Sequence, residues 1–239
     1  MIDTHAHLDA LDDDPADVVA RARDAGVTRI LTVGTAQAVA LAERFDGVFA
    51  VVGVHPHESA VGDVDEIRRL HEHPKVVAVG EIGLDWFRDY APRDVQHDMF
   101  EAQLGLAAEL GKPVVIHTRA ADEDTLAALA GFDGTVVLHC FSSPRLLEPA
   151  LERGWYVSFA GNVTFKNAPE LRVAAAQVPA DRILAETDAP YLAPQPMRGR
   201  PNEPAYVVHT VAALAETRGE ELAALEQQID ENATACFGL

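Results

Sequence analysis

The chain has 239 residues, with 38 Asp and Glu against 19 Lys and Arg, a formal net charge of −19. That acidity opposes the counterion-displacing surface of a general duplex binder, and 48% hydrophobic with 24% charged residues excludes a disordered or collagen-like chain. Only Cys140 and Cys236 are present, so no disulfide framework organises the fold. The opening Met-Ile-Asp-Thr-His has neither a basic segment nor an apolar run, and no stretch nears the roughly 18 apolar residues of a membrane span. The reading is a soluble, cytoplasmic, single-domain protein, since one barrel commonly runs to about 250 residues.

A strand-like run, Ile2 to His7, precedes a helical stretch from about Asp14 to Ala25. Apolar β-branched runs recur at Arg29–Val33, Val48–Val54, Val76–Ile82, Pro113–His117, Thr135–His139, Trp155–Phe159 and Arg182–Thr187, which makes eight with the first. Helical spacing separates them. It is clearest from Pro92 to Leu110, where Val95, Met99, Leu106 and Leu110 share one side of the period and Gly111 supplies the stop. Gly26, Gly47, Gly134 and Gly154 are similar stops. Residues 189–204 hold Pro190, Pro194, Pro196, Pro201 and Pro204, too many for a regular helix or central strand, and a loop that long is usually functional. Two helices follow, from about Ala205 and from Glu220.

Eight apolar strands alternating with helices imply an α/β fold with a parallel sheet, and eight is the number that closes a (β/α)₈ TIM barrel. An open dinucleotide-binding sheet would need a glycine-rich turn after the first strand, and no glycine lies between His7 and Gly26.

His5 and His7 sit two apart in a strand, so both imidazoles face one side. The polar residues at the ends of later strands are Glu81, His117, His139 and Asp188. In a barrel all strand ends gather at one mouth, which brings four histidines and two carboxylates together. Without a cation those polar groups would be poorly compensated. Six ligands exceed the three that a single catalytic ion takes, so two divalent ions are expected, with Glu81 as the bridge and Asp188 on the first ion.

Together these motifs resemble the TatD family of metal-dependent deoxyribonucleases. The likeness spans the chain through Asp-Thr-His-Ala-His-Leu (Asp3–Leu8), Gly-Val-His-Pro-His (Gly53–His57), Gly-Glu-Ile-Gly-Leu-Asp (Gly80–Asp85), Val-Ile-His-Thr-Arg (Val115–Arg119), His-Cys-Phe-Ser (His139–Ser142), Glu-Thr-Asp-Ala-Pro-Tyr-Leu (Glu186–Leu192) and Arg-Gly-Arg-Pro-Asn-Glu-Pro (Arg198–Pro204). The resemblance implies an amidohydrolase-like barrel in which His5, His7, Glu81 and Asp188 hold one ion while Glu81, His117 and His139 hold a second. It also implies 3'-5' exonucleolytic hydrolysis of DNA ends or another phosphodiester; from the sequence itself no membrane and no obligate protein partner are expected. Arg200-Pro201 stands where many members have two basic residues, so DNA affinity is less secure than metal binding.

The expected chemistry is attack by a water held between two cations, with Mg²⁺, Mn²⁺ and Zn²⁺ all admissible. Asp188 orients that water and takes its proton, and His55 joins Glu81 and Asp188 as a catalytic candidate. His55, Arg88, Arg119, Lys166, Arg198 and Arg200 are candidates to hold phosphate. Trp86, Phe87 and Tyr90 read either as a base-stacking rim or as a hydrophobic cap. Cys140 is expected to point to the helix layer, and His71, His73, His97 and His209 to have packing or surface roles. The same metals could instead hydrolyse a non-nucleic-acid ester, lactone or amide.

Overall fold

A computed structural model describes residues 1–239 except Asp89. Parallel strands follow one another in sequence order as β1 (Ile2–Ala6), β2 (Arg29–Gly34), β3 (Val48–Val52), β4 (Val76–Asp85), β5 (Val114–Arg119), β6 (Val136–Leu138), β7 (Tyr156–Phe159) and β8 (Ile183–Ala185). Between and after them run α1 (Pro15–Asp24), α2 (Ala36–Arg44), α3 (Val64–Leu70), α4 (Arg93–Leu110), α5 (Asp122–Ala128), α6 (Leu147–Glu152), α7 (Pro169–Gln177), α8 (Val207–Arg218) and α9 (Leu222–Phe237). Most strand residues are buried, and Val, Ile, Leu and Ala predominate among them, as a parallel sheet covered on both faces requires. No helix among the described residues is long and apolar enough to cross a membrane.

The expected barrel forms, and its seam is sealed largely by the residues that follow the last strand. The His7 N–H donates to the Ala189 carbonyl at 2.8 Å and the Asp188 N–H to the His5 carbonyl at 2.9 Å. Below them the buried Asp3 carboxylate accepts the Thr187 N–H at 2.9 Å and its hydroxyl at 2.6 Å. Burial pushes Asp3 up to about 8 even though these bonds favour its ionised form.

Two expectations need correction. The polar site residues do not all end strands: Glu81 lies inside β4, which runs on to Asp85, whereas β6 stops one residue before His139 and β8 three before Asp188. The core-facing side of α4 is also turned from the expected one. Its buried residues are Gln96, Phe100, Gln103, Leu104, Leu106 and Ala107, while Val95, Met99 and Leu110 are only half-buried. The two amides are buried because each satisfies loop backbone at the barrel mouth. Gln103 takes the Val54 N–H at 2.7 Å and returns a bond to the Val54 carbonyl at 3.1 Å; Gln96 takes the Asp85 N–H at 2.9 Å and donates to the Ala91 carbonyl at 3.0 Å. An unpaired buried amide would cost about 1–3 kcal/mol, so a polar residue wins these positions.

His71, at the end of α3, is 6% exposed and donates through Nε2 to the Val52 carbonyl at 3.0 Å, while its Nδ1 faces the Lys112 ammonium at 3.3 Å. Burial is the main cause lowering its pKa to about 4, with Lys112 adding to it. The unfolded chain, titrating near 6.5, therefore binds the extra proton between pH 6.5 and 4. Stability is full above that window and is lost as pH falls through it. Between pH 7 and 5 the protein should lose about 2 kcal/mol relative to a His71→Gln variant. Denaturant midpoints at both pH values check this, and equal losses in the two proteins would refute it.

Candidate metal centre

The mouth is built on backbone that ordinary residues avoid. Ala120, Cys140, Asp188 and Leu192 have φ of 56°, 46°, 56° and 53°, all in segments that follow β5, β6 and β8. Left-handed non-glycine residues cost about 1–3 kcal/mol each and cluster where function requires them. Glu81 is placed by another device. Gly80 pairs with Val115 and Ile82 with Ile116, so Glu81 is the extra residue of a bulge. The approach of β5 depends on glycine nearby: a Cβ at Gly83, whose φ is 140°, would lie 2.0 Å from the His117 carbonyl oxygen.

Around Glu81 the histidines divide into two sets. Oε2 lies 3.4 Å from His5 Nε2 and 3.7 Å from His7 Nε2. Oε1 lies 2.7 Å from His117 Nδ1, 2.9 Å from His139 Nε2 and 3.5 Å from His55 Nε2. Asp188 Oδ1 sits 3.6 Å from His7 and 4.0 Å from His5, on the Oε2 side. The fold thus brings together all six expected ligands and His55.

These residues fit a divalent cation. His5 is fully buried, yet neither ring nitrogen has a hydrogen-bond partner, an arrangement that is costly unless a lone pair meets a metal. Burial, reinforced by the charge of His139, lowers its pKa and keeps the ring neutral, the form that ligates. Three sets have donor atoms within 4.8 Å of one another: His5, His7 and Glu81; His5, His139 and Asp188; and His55, Glu81 and His117.

Hydrogen bonds on the far side of each ring select its tautomer. His139 Nδ1 meets Glu186 at 2.9 Å, which leaves Nε2 for the centre. His117 Nε2 meets Asp85 at 3.2 Å, which leaves Nδ1 for the centre. His55 is the reverse case: its Nδ1 accepts the His57 N–H at 3.1 Å, so a neutral ring carries its proton on Nε2, facing Glu81. That favours a proton donor over a ligand, despite its position in the third donor set.

The charges reinforce one another. Burial alone would raise Glu81, but the fields of His139 and His55 and the bonds from His117 and His139 hold it well below the usual carboxylate range. Burial would lower His139, yet Glu81 and Glu186 carry it well above the usual imidazole range. His7 and His117 are also raised against their burial, His7 chiefly by Asp188 and His117 by Asp85 and Glu81. Asp188 is lowered, its burial outweighed by His7, His139 and His5. A cation entering here replaces protons already held between rings and carboxylates.

Three groups support the site: Glu186, which the sequence reading does not single out, and Asp85 and Asn202, to which it assigns no role. Glu186 is 1% exposed and accepts from His139 Nδ1, from the Cys140 N–H at 2.7 Å and from Ser158 Oγ at 2.5 Å. Asp85, 1% exposed, contacts His57 Nε2 at 2.8 Å as well as His117, and its other oxygen takes the Phe87 and Arg88 N–H groups. Asn202 is fully buried and donates to the carbonyls of Thr187, at 2.8 Å, and Tyr191, at 2.5 Å, so it ties down the segment that carries Asp188. One signal was available: Glu186 and Asp188 repeat the two-residue spacing of His5 and His7.

Among the phosphate candidates, Arg119 ends β5 with its guanidinium 3.9 Å from the Phe87 ring centroid. Arg198 lies over Phe165 at 4.2 Å. Lys166 lines a cleft with Gln195 and His209, and Arg200 is exposed. Among the described residues none of these four ion-pairs with a carboxylate of the centre. Cys140 departs from expectation: it is not in a strand, its backbone is left-handed, and burial together with the negative fields of Asp188, Glu186 and Glu81 pushes its thiol well up.

A family model described as "TatD related DNase" matches residues 2–238. The uncharacterized metal-dependent hydrolase YabD of Bacillus subtilis is 37% identical, with 99% of this chain and 98% of that protein aligned. The 3'-5' ssDNA/RNA exonuclease TatD of Klebsiella pneumoniae is 40% identical, with 95% and 92% aligned. The crystal structure of the TatD homolog YJJV from Escherichia coli superposes with a TM-score of 0.93 at 31% identity, covering 100% of this chain and 98% of that one. A phosphotriesterase homology protein from Escherichia coli shares the barrel at a TM-score of 0.72 and 17% identity, with 99% and 98% covered. With its histidines and carboxylates gathered at the mouth of such a barrel, the chain belongs to the TatD family of metal-dependent hydrolases.

Proposed function

We propose that the protein is a two-metal nuclease, a single catalytic unit that removes nucleotides from the 3' ends of single-stranded DNA or RNA. The observation that carries the two-ion reading is the divided environment of Glu81, whose Oε2 faces His5 and His7 and whose Oε1 faces His117 and His139. His5, His7, Glu81 and Asp188 would hold one ion and Glu81, His117 and His139 the other, with Mg²⁺, Mn²⁺ and Zn²⁺ as candidates. Bound there, the cations supply Lewis acidity, which neutralises charge on the phosphoryl oxygens and acidifies water towards neutral pH.

The remaining steps belong to the chain. Asp188, held ionised at the edge of the centre, orients the attacking water and accepts its proton. His55 donates its Nε2 proton to a phosphoryl oxygen or to the leaving group. Arg119, Lys166, Arg198 and Arg200 hold flanking phosphates, guanidinium groups by paired hydrogen bonds. The exonuclease reading is supported by the relative that carries that name. It fits the net charge of −19, because an enzyme working on chain ends needs a few local cations and not a broad basic face.

The test is incubation with 5'-labelled single-stranded DNA and RNA in the presence of Mg²⁺, Mn²⁺ or Zn²⁺, with elemental analysis of the same preparation. The expected result is a ladder shortening from the 3' end and about two ions per chain. No digestion with any ion would end the nuclease reading, and one ion per chain at full activity would end the two-metal one.

A further inference from the structure

We propose that Phe87, backed by Arg119, is a stacking shelf for an unpaired base, so that strand ends are selected by stacking and not by sequence; this deepens the nuclease reading and rests on it. The strongly exposed large hydrophobic side chains are Val61, Phe87, Tyr90, Val173, Tyr191 and Leu222. The three aromatics among them all lie beside the metal centre. Phe87 and Tyr90 follow β4 and are 60% and 64% exposed, and Tyr191 follows β8 and is 58% exposed. The Tyr90 ring meets the edge of His57 at 4.8 Å, and the Tyr191 ring meets His7 at 6.1 Å. One loop therefore sets an aromatic ring against the proposed ligand His7 and the other sets one against His57, whose Nε2 shares the Asp85 carboxylate with His117.

The alternative, a hydrophobic cap on the barrel, is filled by the neighbouring residue. Trp86 is half-buried against the core, and its indole N–H donates to Asp124 at 2.7 Å. Phe87 is turned outward instead, with the Arg119 guanidinium 3.9 Å and the Arg88 guanidinium 5.7 Å from its centroid. Among the described residues neither arginine ion-pairs with a carboxylate. In a chain of net charge −19 this places two cations on exposed aromatic faces beside the centre, the combination that binds single strands: a π-face for a base and a positive charge for the adjoining phosphate. The shelf is also rigidly referenced to the chemistry. The Phe87 N–H is bonded at 2.8 Å to Asp85, the carboxylate that contacts His57 and His117. A duplex end keeps its terminal bases stacked and paired, and must fray before a base can reach the shelf.

The experiment compares wild type, Phe87→Ala and Phe87→Trp, each with Mn²⁺, on an oligothymidylate, on the same strand with abasic positions at its 3' end, and on a blunt hairpin. Because Phe87 is mostly exposed, thermal unfolding should be unchanged in both variants. Phe87→Ala should lose about tenfold in kcat/KM on the oligothymidylate, chiefly through KM. Phe87→Trp should restore it, and all three proteins should match on the abasic strand. A loss of equal size on normal and abasic strands, or no loss at all, would overturn the shelf. Should wild type digest no nucleic acid, the nuclease reading fails by itself and the shelf is judged by anisotropy of a labelled oligothymidylate. Binding weakened about tenfold by Phe87→Ala sustains it; binding that is absent in wild type, or unchanged in the variant, overturns it.

Discussion

Glu81→Ala should reduce hydrolysis by at least about a thousandfold and strip most bound metal from the protein. The magnitude follows from position. Among the described residues Glu81 is the one side chain with an oxygen towards each histidine set, so its removal takes a ligand from both proposed ions at once. Loss of Lewis-acid stabilisation worth about 4 kcal/mol corresponds to roughly a thousandfold in rate. Its removal also leaves His117 and His139 with no negative partner on their inner faces, although the pKa values of both rings depend on that charge. Raising the metal concentration should not restore activity, because the bridge is missing and not merely weakened. Elemental analysis of the purified variant with single-strand hydrolysis rates checks both halves. Retained turnover would show that the ions do not share this carboxylate.

The six proposed ligand positions were legible because His5 and His7 are spaced two apart in a strand and the others are polar residues at the carboxyl side of apolar runs, a regularity that a closed barrel converts into convergence at a mouth. The device that aims each side chain was not legible. Glu81 reaches the centre from within β4 because a bulge inserts it between paired residues, and Asp188 does so three residues beyond β8 through a left-handed backbone; neither leaves a mark in hydrophobic periodicity. The α4 face was misjudged for a related reason. Periodicity counts apolar residues as inward, but Gln96 and Gln103 are buried by the hydrogen-bonding demand of backbone outside the helix, at Asp85 and Ala91 for Gln96 and at Val54 for Gln103. Asp85 and Glu186 both lie inside motifs that were read, yet their parts depend on which ring nitrogen they face, and only coordinates supply that. His55 shows the gain: its motif suggested a place at the mouth, and the proton-donor role proposed for it rests on the His57 N–H at its Nδ1, a bond that only coordinates reveal.

Glu186 leads to the second large effect. Its carboxylate orients His139 by accepting from Nδ1, and it also takes the Cys140 N–H and the Ser158 hydroxyl. Glu186→Gln preserves the shape. The amide oxygen can still accept from His139 and Cys140, and the amide N–H can donate to a rotated Ser158 hydroxyl, which has Thr4 Oγ1 at 3.3 Å as its own acceptor. What is lost is one of the two negative charges, the other being Glu81, that raise the basicity of His139 and with it its strength as the proposed ligand. Partners of this kind change metal affinity or activity by about 10- to 100-fold. Glu186→Gln should therefore raise the Mn²⁺ concentration needed for half-maximal activity by a factor in that range, with most of the turnover recovered at saturating metal. Its melting temperature without added metal should stay near that of wild type. Glu186→Ala should behave differently, because His139 Nδ1 and the Cys140 N–H then lack an acceptor at about 1–3 kcal/mol each, and it should melt below wild type. If Glu186→Gln titrated with Mn²⁺ as wild type does, the carboxylate would be a packing element and Glu81 alone would sustain the basicity of His139.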